Sequence, residues 1–259
     1  DWSSDVCSSD LREGSLWVID WVELPAEPTE EASWRRLDEW LGQPLVNAAG
    51  IAMKPLMAAV DSGYLTDQVL TFTRERQRRG VIAVKGSSIA GKPIIGKPSK
   101  LDVTVRGHTL KGGAEGWLVG ADTAKHTIFA RLAADGKRLP QERAVRFAEG
   151  LDASFYSQLT AEIWEPNRRR WVKIRPRNEA LDTFVYALAA AHHPSLRIHL
   201  WKEPQWAKLE AALEPAHGDL FAASAPTCAA PGAVPTIRER RRDVPMMPGR
   251  SSSGGHGFY

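Results

Sequence analysis

Short apolar runs alternate along this chain with longer stretches in which apolar residues recur at helical spacing. The runs SLWVIDWVEL, IAMKPLMAAVD, VIAVKGSS and GWLVGAD predict β-strands. The stretches SWRRLDEWLG, TDQVLTFTRERQRRG, TAKHTIFARLAA, NEALDTFVYALAAAHH and EPQWAKLEAAL predict helices, and a short helix is predicted around 153–160. Ser33 and Asn178 are the predicted N-caps, and Gly42 and Gly80 mark helix ends. Strands that alternate with helices indicate an α/β domain with a mixed sheet.

Two segments between these elements predict hairpins. Residues 89–116 are rich in Gly, Lys and Pro and contain one short strand, LDVTVRG, so a loop and a hairpin are expected there. Further on, TAEIW and RRRWVKIR predict two strands joined by the turn EPN. Strand alternation places Trp171, Lys173 and Arg175 on one face and the intervening Val and Ile on the other, which is expected to pack on the domain. The basic residues of this strand, Arg170 among them, either grip phosphate groups or belong to a solvated edge strand protected by its charge.

The two ends of the chain differ in composition from its middle. Residues 1–14, DWSSDVCSSDLREG, show no periodicity and resemble translated sequencing adapter, so we expect an artefactual leader in front of a truncated protein. Residues 15–215 have a globular composition and are the expected folded domain. Residues 216–259 are rich in Ala, Pro, Gly, Ser and Arg and predict a disordered basic tail. Cys7 and Cys228 lie in these ends and give neither a disulfide framework nor zinc-ligand spacing.

The overall composition is that of a globular protein, with 259 residues of which 43% are hydrophobic and 25% charged. No apolar run reaches the roughly 18 residues that span a bilayer, and the first residues do not form a signal peptide, so we expect a cytoplasmic protein with no membrane partner. The net charge is only +3, but basic residues concentrate at 74–79, 168–177 and 238–242. That distribution suits a polyanionic partner, although such runs are more often solvated surface.

Three aspartates occupy positions that strand and helix propensities do not favour. Asp61 follows the apolar run MAAV, Asp122 follows WLVGA, and Asp182 lies among core-like residues of a predicted helix. Carboxylates at the C-terminal ends of strands lie at the sheet edge where ligands usually bind, and a helix across that edge can add a third. Converging carboxylates repel unless a cation neutralises them, so hard divalent ions are the expected occupants. Alternatively, Asp61 belongs to an ordinary turn and Asp122 caps the next helix.

Four stretches, in this order, resemble the nuclease domain of lambda-type (GpA-like) phage terminase large subunits. They are MAAVDSGYLTDQVLTFTRERQRRGVIAVKGSS, WLVGADTAKHTIFARL, YSQLTAEIW and RNEALDTFVYALAAA, and the upstream WRRLDEWLG and NAAG also fit. The resemblance covers residues 15–215. It implies an α/β, RNase H-like fold, in which helices flank a mixed sheet that carries a basic β-hairpin. It also implies a metal-dependent endonuclease that cuts concatemeric phage DNA during packaging.

The resemblance implies roles for single residues as well. Asp61 in VDSG matches the acid that ends the family's first strand, and Asp122 in GAD matches an acid that follows a later strand. The last acid lies on the helix with NEALD, where either Asp182 or Glu179 can match. We favour Asp182, because inside a helix neither a cap nor the macrodipole explains it. Glu162 in LTAE is a weaker fourth candidate. Asp61, Asp122 and Asp182 would bind Mg²⁺ or Mn²⁺ in a two-metal site.

The expected partners follow from the same resemblance. They are double-stranded DNA, a terminase small subunit and a portal-bearing procapsid, in the host cytoplasm of a phage or prophage. Lys125, which follows Asp122 by three residues, either neutralises a DNA phosphate or is an ordinary helix-surface lysine. A full large subunit also has a packaging ATPase, which this chain does not contain, so motor activity is not predicted. Two other functions stay open: another RNase H-like nuclease, of resolvase or integrase type, and a module that docks on the procapsid without cutting DNA.

One nucleotide-binding pattern in the sequence is rejected. Residues 86–92, GSSIAGK, follow a predicted strand and fit G-x-x-x-x-G-K, but the next residue is Pro93. A phosphate-binding loop of this type needs Ser or Thr at that position and a helix that begins there. We therefore expect a basic loop and no ATP site.

Overall fold

The computed structural model describes the backbone of residues 3–6 and all of residues 14–24, 27, 29–47, 50–87, 89–105, 107–134, 137 and 143–213. The predicted tail and both cysteines lie outside these residues. The helices are α1 (Glu31–Gly42), α2 (Thr66–Arg76), α3 (Ala121–Ala134), α4 (Ala153–Leu159), α5 (Glu179–Ala191) and α6 (Glu203–Leu213), with 3-10 turns at Gln77–Arg79 and Ile198–Leu200. The strands are β1 (Ser3–Val6), β2 (Leu16–Val18), β3 (Asp20–Glu23), β4 (Leu45–Val46), β5 (Ala52–Met53), β6 (Ala58–Asp61), β7 (Val81–Ser87), β8 (Ile95–Val105), β9 (His108–Gly120), β10 (Val145–Phe147), β11 (Glu162–Glu165) and β12 (Arg170–Lys173).

A four-stranded mixed sheet forms the centre of the fold, in the order β6-β7-β9-β8. Strands β6, β7 and β9 run parallel, and β8 lies antiparallel to β9 at one edge. The runs AAV, VIAV and WLV form the parallel strands because a strand covered on both faces can be apolar throughout. The C-terminal ends of the three parallel strands therefore meet at one edge of the sheet.

Helices cover both faces of this sheet. On one face, Leu181 of α5 and Ile128 of α3 belong to the same buried cluster as Val84 of β7. On the opposite face, Val69 of α2 packs with Ala83. Burial of a large aliphatic side chain contributes about 1.5–3 kcal/mol, so these contacts fix α5 across the sheet. The α/β class and the mixed sheet flanked by helices are confirmed.

Among the described residues, four two-stranded sheets accompany the central one. β1 pairs with β3, β4 with β5 and β11 with β12, all antiparallel, whereas β2 and β10 are parallel. The β11–β12 pair is the hairpin predicted from TAEIW and RRRWVKIR. Its register places Trp164 opposite Trp171.

The helices match their predictions more closely than the strands do. SLWVIDWVEL forms two strands with different partners, and IAMKPLMAAVD is interrupted by Pro55 between β5 and β6, because proline has no N–H for a ladder. Ser33 is not an N-cap, since α1 begins before it and its hydroxyl donates to the carbonyl oxygen of Glu27. No element was predicted before residue 15, yet β1 pairs with β3.

The segment predicted as a loop with one short strand forms two long strands instead. Strands β8 and β9 pair from Ile95 and Val119 to Val105 and His108, with two register shifts. Pro98 is tolerated because β8 is an edge strand, where a residue without an N–H can face away from the paired strand. After Pro93 the chain enters β8, so the helix that a phosphate-binding loop requires at this point is not formed.

Gly80 ends the turn after α2 with a φ of 78°, and an added Cβ would lie 2.6 Å from the Leu56 carbonyl oxygen. Gly80→Ala is expected to lower the free energy of unfolding by about 2–3 kcal/mol, because it adds a clash to left-handed backbone strain. Urea denaturation measures this loss. Gly91→Ala is the control, since Gly91 has a φ of 73° with nothing within 4 Å of an added Cβ, and it should lose about 1 kcal/mol. Equal losses in the two variants would contradict the clash.

Candidate active site

The Asp61 carboxylate lies at the C-terminal end of β6. Strand alternation turns it to the same face as Ala59, which packs against the cluster that contains α5. Its Oδ1 accepts a hydrogen bond of 3.0 Å from the backbone N–H of Gly63. Buried Ser62 fixes the following turn by donating to the carbonyl oxygen of Val84 at 2.8 Å. The strand end and its turn therefore hold an exposed acid at the sheet edge.

Tyr186 of α5 lies beside Asp61, and sequence analysis missed it. Burial above all, and then the negative charges of Asp61 and Asp182, raise the pKa of the Tyr186 hydroxyl, which also hydrogen-bonds Asp61. The hydroxyl therefore stays protonated and is the donor. Gly86 of β7 leaves room for it, since an added Cβ would lie 3.1 Å from the tyrosine oxygen. The signal that could have found Tyr186 is its position one helical turn after Asp182, on the same face.

Asp182 lies in the first turn of α5, which begins at Glu179. The prediction that it lies inside the helix, beyond the reach of the macrodipole, is therefore wrong, because a carboxylate in the first turn is favoured. Burial is the largest cause that raises the pKa of Asp182; the charges of Glu162 and Asp61 raise the pKa further, against the lowering effect of Lys125. Asp61 and Asp182 thus lie within electrostatic reach of each other.

Four side chains form a closed ring on the buried side of Asp182, which we call the Asp182 ring: Lys125, Glu162, Asn178 and Asp182. Lys125 Nζ donates to both carboxylate oxygens of Glu162 at 2.8 Å and lies 3.4 Å from Asp182 Oδ1. The Asn178 amide donates to Glu162 Oε1 at 2.7 Å and to Asp182 Oδ2 at 2.8 Å. Lys125, Glu162 and Asn178 are each 8% exposed. A buried polar network of this kind is rigid when its members are satisfied.

The ring changes three predictions. Lys125 is buried and ion-paired, so its alternative as a helix-surface lysine is wrong; its contact with DNA stays a prediction. Glu162, the fourth candidate acid, is buried, because its carboxylate is paired with Lys125 of α3. Asn178 directly precedes α5 as predicted, but its side chain makes no capping hydrogen bond. Its amide nitrogen donates to the two acids instead.

Asp122 lies in the first turn of α3, after β9 has ended. In the sheet register, Asp61 is level with Trp117 of β9, and β9 continues for three more residues to Gly120. This extension measures about 10 Å along the strand, at roughly 3.3 Å per residue. Asp122 Oδ1 lies 3.8 Å from His126 Nε2, one helical turn further on. The structure therefore brings Asp61 and Asp182 together and sets Asp122 further along the same edge.

Glu179 belongs to a separate ion-pair cluster. Its Oε2 lies 3.5 Å from Arg177 Nε, and Arg177 Nη2 lies 3.1 Å from Glu23 Oε1. Of the two acids that the sequence could not separate, only Asp182 is in the ring. Their catalytic roles remain predictions.

The β11–β12 hairpin presents its aromatic face to α3. Trp171 stacks on Phe129 with ring centroids 4.9 Å apart and contacts His126 at 5.2 Å. The prediction that the opposite face packs on the domain is therefore wrong, since Ile163 and Ile174 are each 50% exposed. The large apolar indole packs against α3, where it removes more apolar surface from water than an aliphatic side chain would.

The basic residues of the hairpin differ in their surroundings. Arg170 and Lys173 are exposed at the two ends of β12. Arg175 is also exposed, but its Nη1 donates to the carbonyl oxygens of Ser157 and Thr160 at the end of α4. Arg175 thus stabilises a helix end, whereas the described part of the structure gives the Arg170 and Lys173 side chains no such role.

The donor chemistry of this edge fits a hard divalent cation. Asp61 and Asp182 offer carboxylate oxygens with a like-charge repulsion that a cation would relieve, whereas Glu162 is already neutralised by Lys125. Within the described ranges, no three His, Cys, Asp or Glu side chains are grouped closely enough to hold a metal ion. The fit therefore rests on the pair Asp61 and Asp182, with Asp122 further along the edge.

The fold and this site define an α/β domain with an acidic sheet edge. Comparison with known proteins assigns this domain to a family. The chain matches the model of the terminase large subunit gpA endonuclease domain over residues 11–206. It is 32% identical over 187 residues to the terminase large subunit of Escherichia phage lambda and 30% identical over 189 residues to that of Enterobacteria phage P21. Each match covers 67% of this chain. The chain belongs to the gpA endonuclease-domain family of terminase large subunits, which confirms the resemblance seen in its sequence.

The extent of these matches differs between the chain and its relatives. The chain spans 28% of the length of the two curated relatives, and the family match begins at residue 11, inside the predicted leader. No solved structure matches the chain. None of the described helices is long and apolar enough to span a membrane.

Proposed function

We propose that this chain is a metal-dependent endonuclease domain that hydrolyses phosphodiester bonds of DNA. Asp61 and Asp182 are the ligands of Mg²⁺ or Mn²⁺ that the geometry supports, and Asp122 is the further ligand that the family resemblance implies. The pairing of Asp61 with Asp182 at the sheet edge carries the metal dependence. Their charges repel, and Lys125 offsets this repulsion only in part, because its ammonium lies 3.4 Å from Asp182 Oδ1 and is bound to both oxygens of Glu162. A divalent ion relieves that repulsion and is the natural occupant of the edge.

The residues of the chain have distinct tasks in this reaction. When bound, the ion would lower the pKa of a water ligand and neutralise charge on the scissile phosphate. Asp61 is oriented by the Gly63 N–H on one oxygen and by the protonated Tyr186 hydroxyl. Asp182 is held from its buried side by the ring. Both acids are therefore preorganised on rigid elements, a strand end and a helix start, as a reaction of this class requires.

The architecture that we propose for this function is RNase H-like. Three features support it: a mixed sheet flanked by helices, an acid at the end of a parallel strand, and a second acid on a helix that lies across the same edge. This arrangement leaves the acids at the surface, where a phosphate backbone has access.

We propose that the substrate is double-stranded, concatemeric viral DNA, cut when the genome is packaged. Exposed Arg170 and Lys173 on the hairpin would contact phosphates and provide the attraction that the acidic edge lacks. The small subunit and the portal-bearing procapsid are partners that we propose for the whole large subunit. Membership of a terminase family argues against a resolvase or integrase.

Cleavage of supercoiled plasmid by the purified 259-residue chain tests the proposal. We expect nicking with Mn²⁺ or Mg²⁺, none in excess EDTA, and recovery when the ion is added back above the chelator. Asp61→Asn, prepared in parallel, should not nick, and equal cleavage by both proteins would contradict the proposal. If the parent neither cleaves DNA nor binds Mn²⁺ in calorimetry, the catalytic proposal is overturned, and docking on the procapsid becomes the leading function.

A further inference from the structure

Asn178 uses its amide in an unusual way for a residue that precedes a helix. Such residues normally accept a hydrogen bond from a free N–H of the first turn. Asn178 makes no such bond, although it occupies the N-cap position of α5. Its amide nitrogen donates instead to two carboxylates, Glu162 at 2.7 Å and Asp182 at 2.8 Å. The residue has two amide hydrogens, so each acid can receive one of them.

This geometry fixes the direction of the Asp182 carboxylate. Oδ2 accepts from Asn178, and Oδ1 lies 3.4 Å from the Lys125 ammonium. Both contacts come from the buried side, because Lys125 and Asn178 are each 8% exposed. The Asp182 side chain is 40% exposed, so part of it stays accessible from the open edge, within electrostatic reach of Asp61.

Glu162 lies at the centre of the ring, where it accepts hydrogen bonds from both donors, and it is not the acid that is open to solvent. Its Oε1 accepts from both Lys125 and Asn178, and its Oε2 accepts from Lys125. Three of the roughly four lone-pair sites of this carboxylate are used, and only 9% of its side chain is exposed, so a metal ion would have to disturb the ring to bind it. Its role is therefore to hold the two donors that in turn hold Asp182.

We propose that Asn178, supported by Glu162 and Lys125, is a positioning residue that orients the Asp182 carboxylate toward a divalent cation shared with Asp61. This inference rests on the proposed function and deepens it. It assigns the network behind the acid, and it moves Glu162 and Lys125 from candidate ligand and candidate DNA contact to support of the site. Residues that orient metal ligands in this way typically change metal affinity 10–100-fold when they are replaced.

The test measures Mn²⁺ binding by calorimetry and the thermal unfolding midpoint without metal, for the full chain and three variants. Asn178→Leu has a similar size but no donor, and we expect its Mn²⁺ affinity to fall about 10–100-fold. Asn178→Ser keeps one donor, which can serve one acid at a time, so its affinity should lie between those of the parent and Asn178→Leu; this variant also covers the case in which Asn178→Leu does not fold. Asn167→Ser, in the exposed hairpin turn, is the matched control and should bind like the parent.

Each outcome separates this inference from the proposed function. If Mn²⁺ affinity falls as the side chain at position 178 loses donors, Asn178 positions the Asp182 carboxylate, because affinity is measured on folded protein. A lower unfolding midpoint with Mn²⁺ affinity within about twofold of the parent would show that the amide only stabilises the fold, and would overturn the inference while the nuclease proposal stands. Failure of the parent itself to bind Mn²⁺ would overturn both.

Discussion

Asp182→Asn is expected to lower the rate of DNA cleavage at least about 100-fold, whereas Glu179→Gln should stay within about threefold of the parent. The two substitutions are matched, since each turns an acid in the first turn of α5 into its amide. Loss of a residue that only supports a metal ligand typically costs 10–100-fold, so loss of the ligand should cost more. Glu179 is paired with Arg177 and not with the ring, so its charge should not affect the chemistry.

Stability measurements distinguish a catalytic from a structural loss in Asp182→Asn. Because the folded-state pKa of Asp182 lies above its ordinary value, chiefly through burial, the ionised acid destabilises the fold. With respect to Asp182, the fold is therefore most stable below the unfolded-state pKa, where the acid is protonated in both states. This stability is lost as pH rises through the folded-state pKa. The amide removes this titration, so Asp182→Asn should unfold no more easily than the parent at neutral pH. Strong cleavage by Asp182→Asn together with loss in Glu179→Gln would reverse the assignment of the third acid.

Lys125→Met is the second substitution with a large expected effect, a loss of about 3–5 kcal/mol in the free energy of unfolding. Removal of one partner from a buried ion pair leaves the other charge uncompensated, and Glu162 is only 8% exposed. The double variant Lys125→Met, Glu162→Gln should recover most of the loss, because the uncompensated charge of Glu162 is removed and the glutamine oxygen can still accept from Asn178. Urea denaturation of the metal-free proteins measures these differences.

An exposed lysine provides the control for this cycle. Lys100 forms an ion pair of 2.7 Å with Glu115 but its side chain is 70% exposed. Lys100→Met should therefore cost less than about 1 kcal/mol. Two results would contradict the buried charge network described above. One is a loss in the free energy of unfolding for Lys125→Met that is no larger than that for Lys100→Met. The other is a double variant that is no more stable than Lys125→Met alone.

The parts of this site that could be predicted are those fixed by local sequence. Asp61 and α5 were found because strand and helix periodicities are local properties, and an acid that ends an apolar run is visible in the sequence itself. The order of motifs then identified the family. Asp122 shows where local information stops: its distance from Asp61 depends on the register between β6, β7 and β9, and neighbouring sequence does not set that register.

The ring could not be predicted, because its pairs are far apart along the chain. Lys125 and Glu162 are separated by 37 positions, and each read alone is an ordinary charged residue on a helix or a strand. The pairing exists only because α3 and the β11–β12 hairpin pack together through Phe129 and Trp171. Asp182 was selected on an argument about helix position that the start of α5 at Glu179 overturned. The role of Tyr186 likewise depends on the absence of a side chain at Gly86.

The position of α5 has a consequence for the order of events during protein synthesis. The strand that carries Asp61 leaves the ribosome long before the helix that carries Asp182 and Tyr186, and Lys125, Glu162 and Asn178 are made in between. Domains generally fold as units once their sequence is available. A nascent chain therefore has only isolated acids until α5 is complete, and the proposed metal site can form only after α5 has been made.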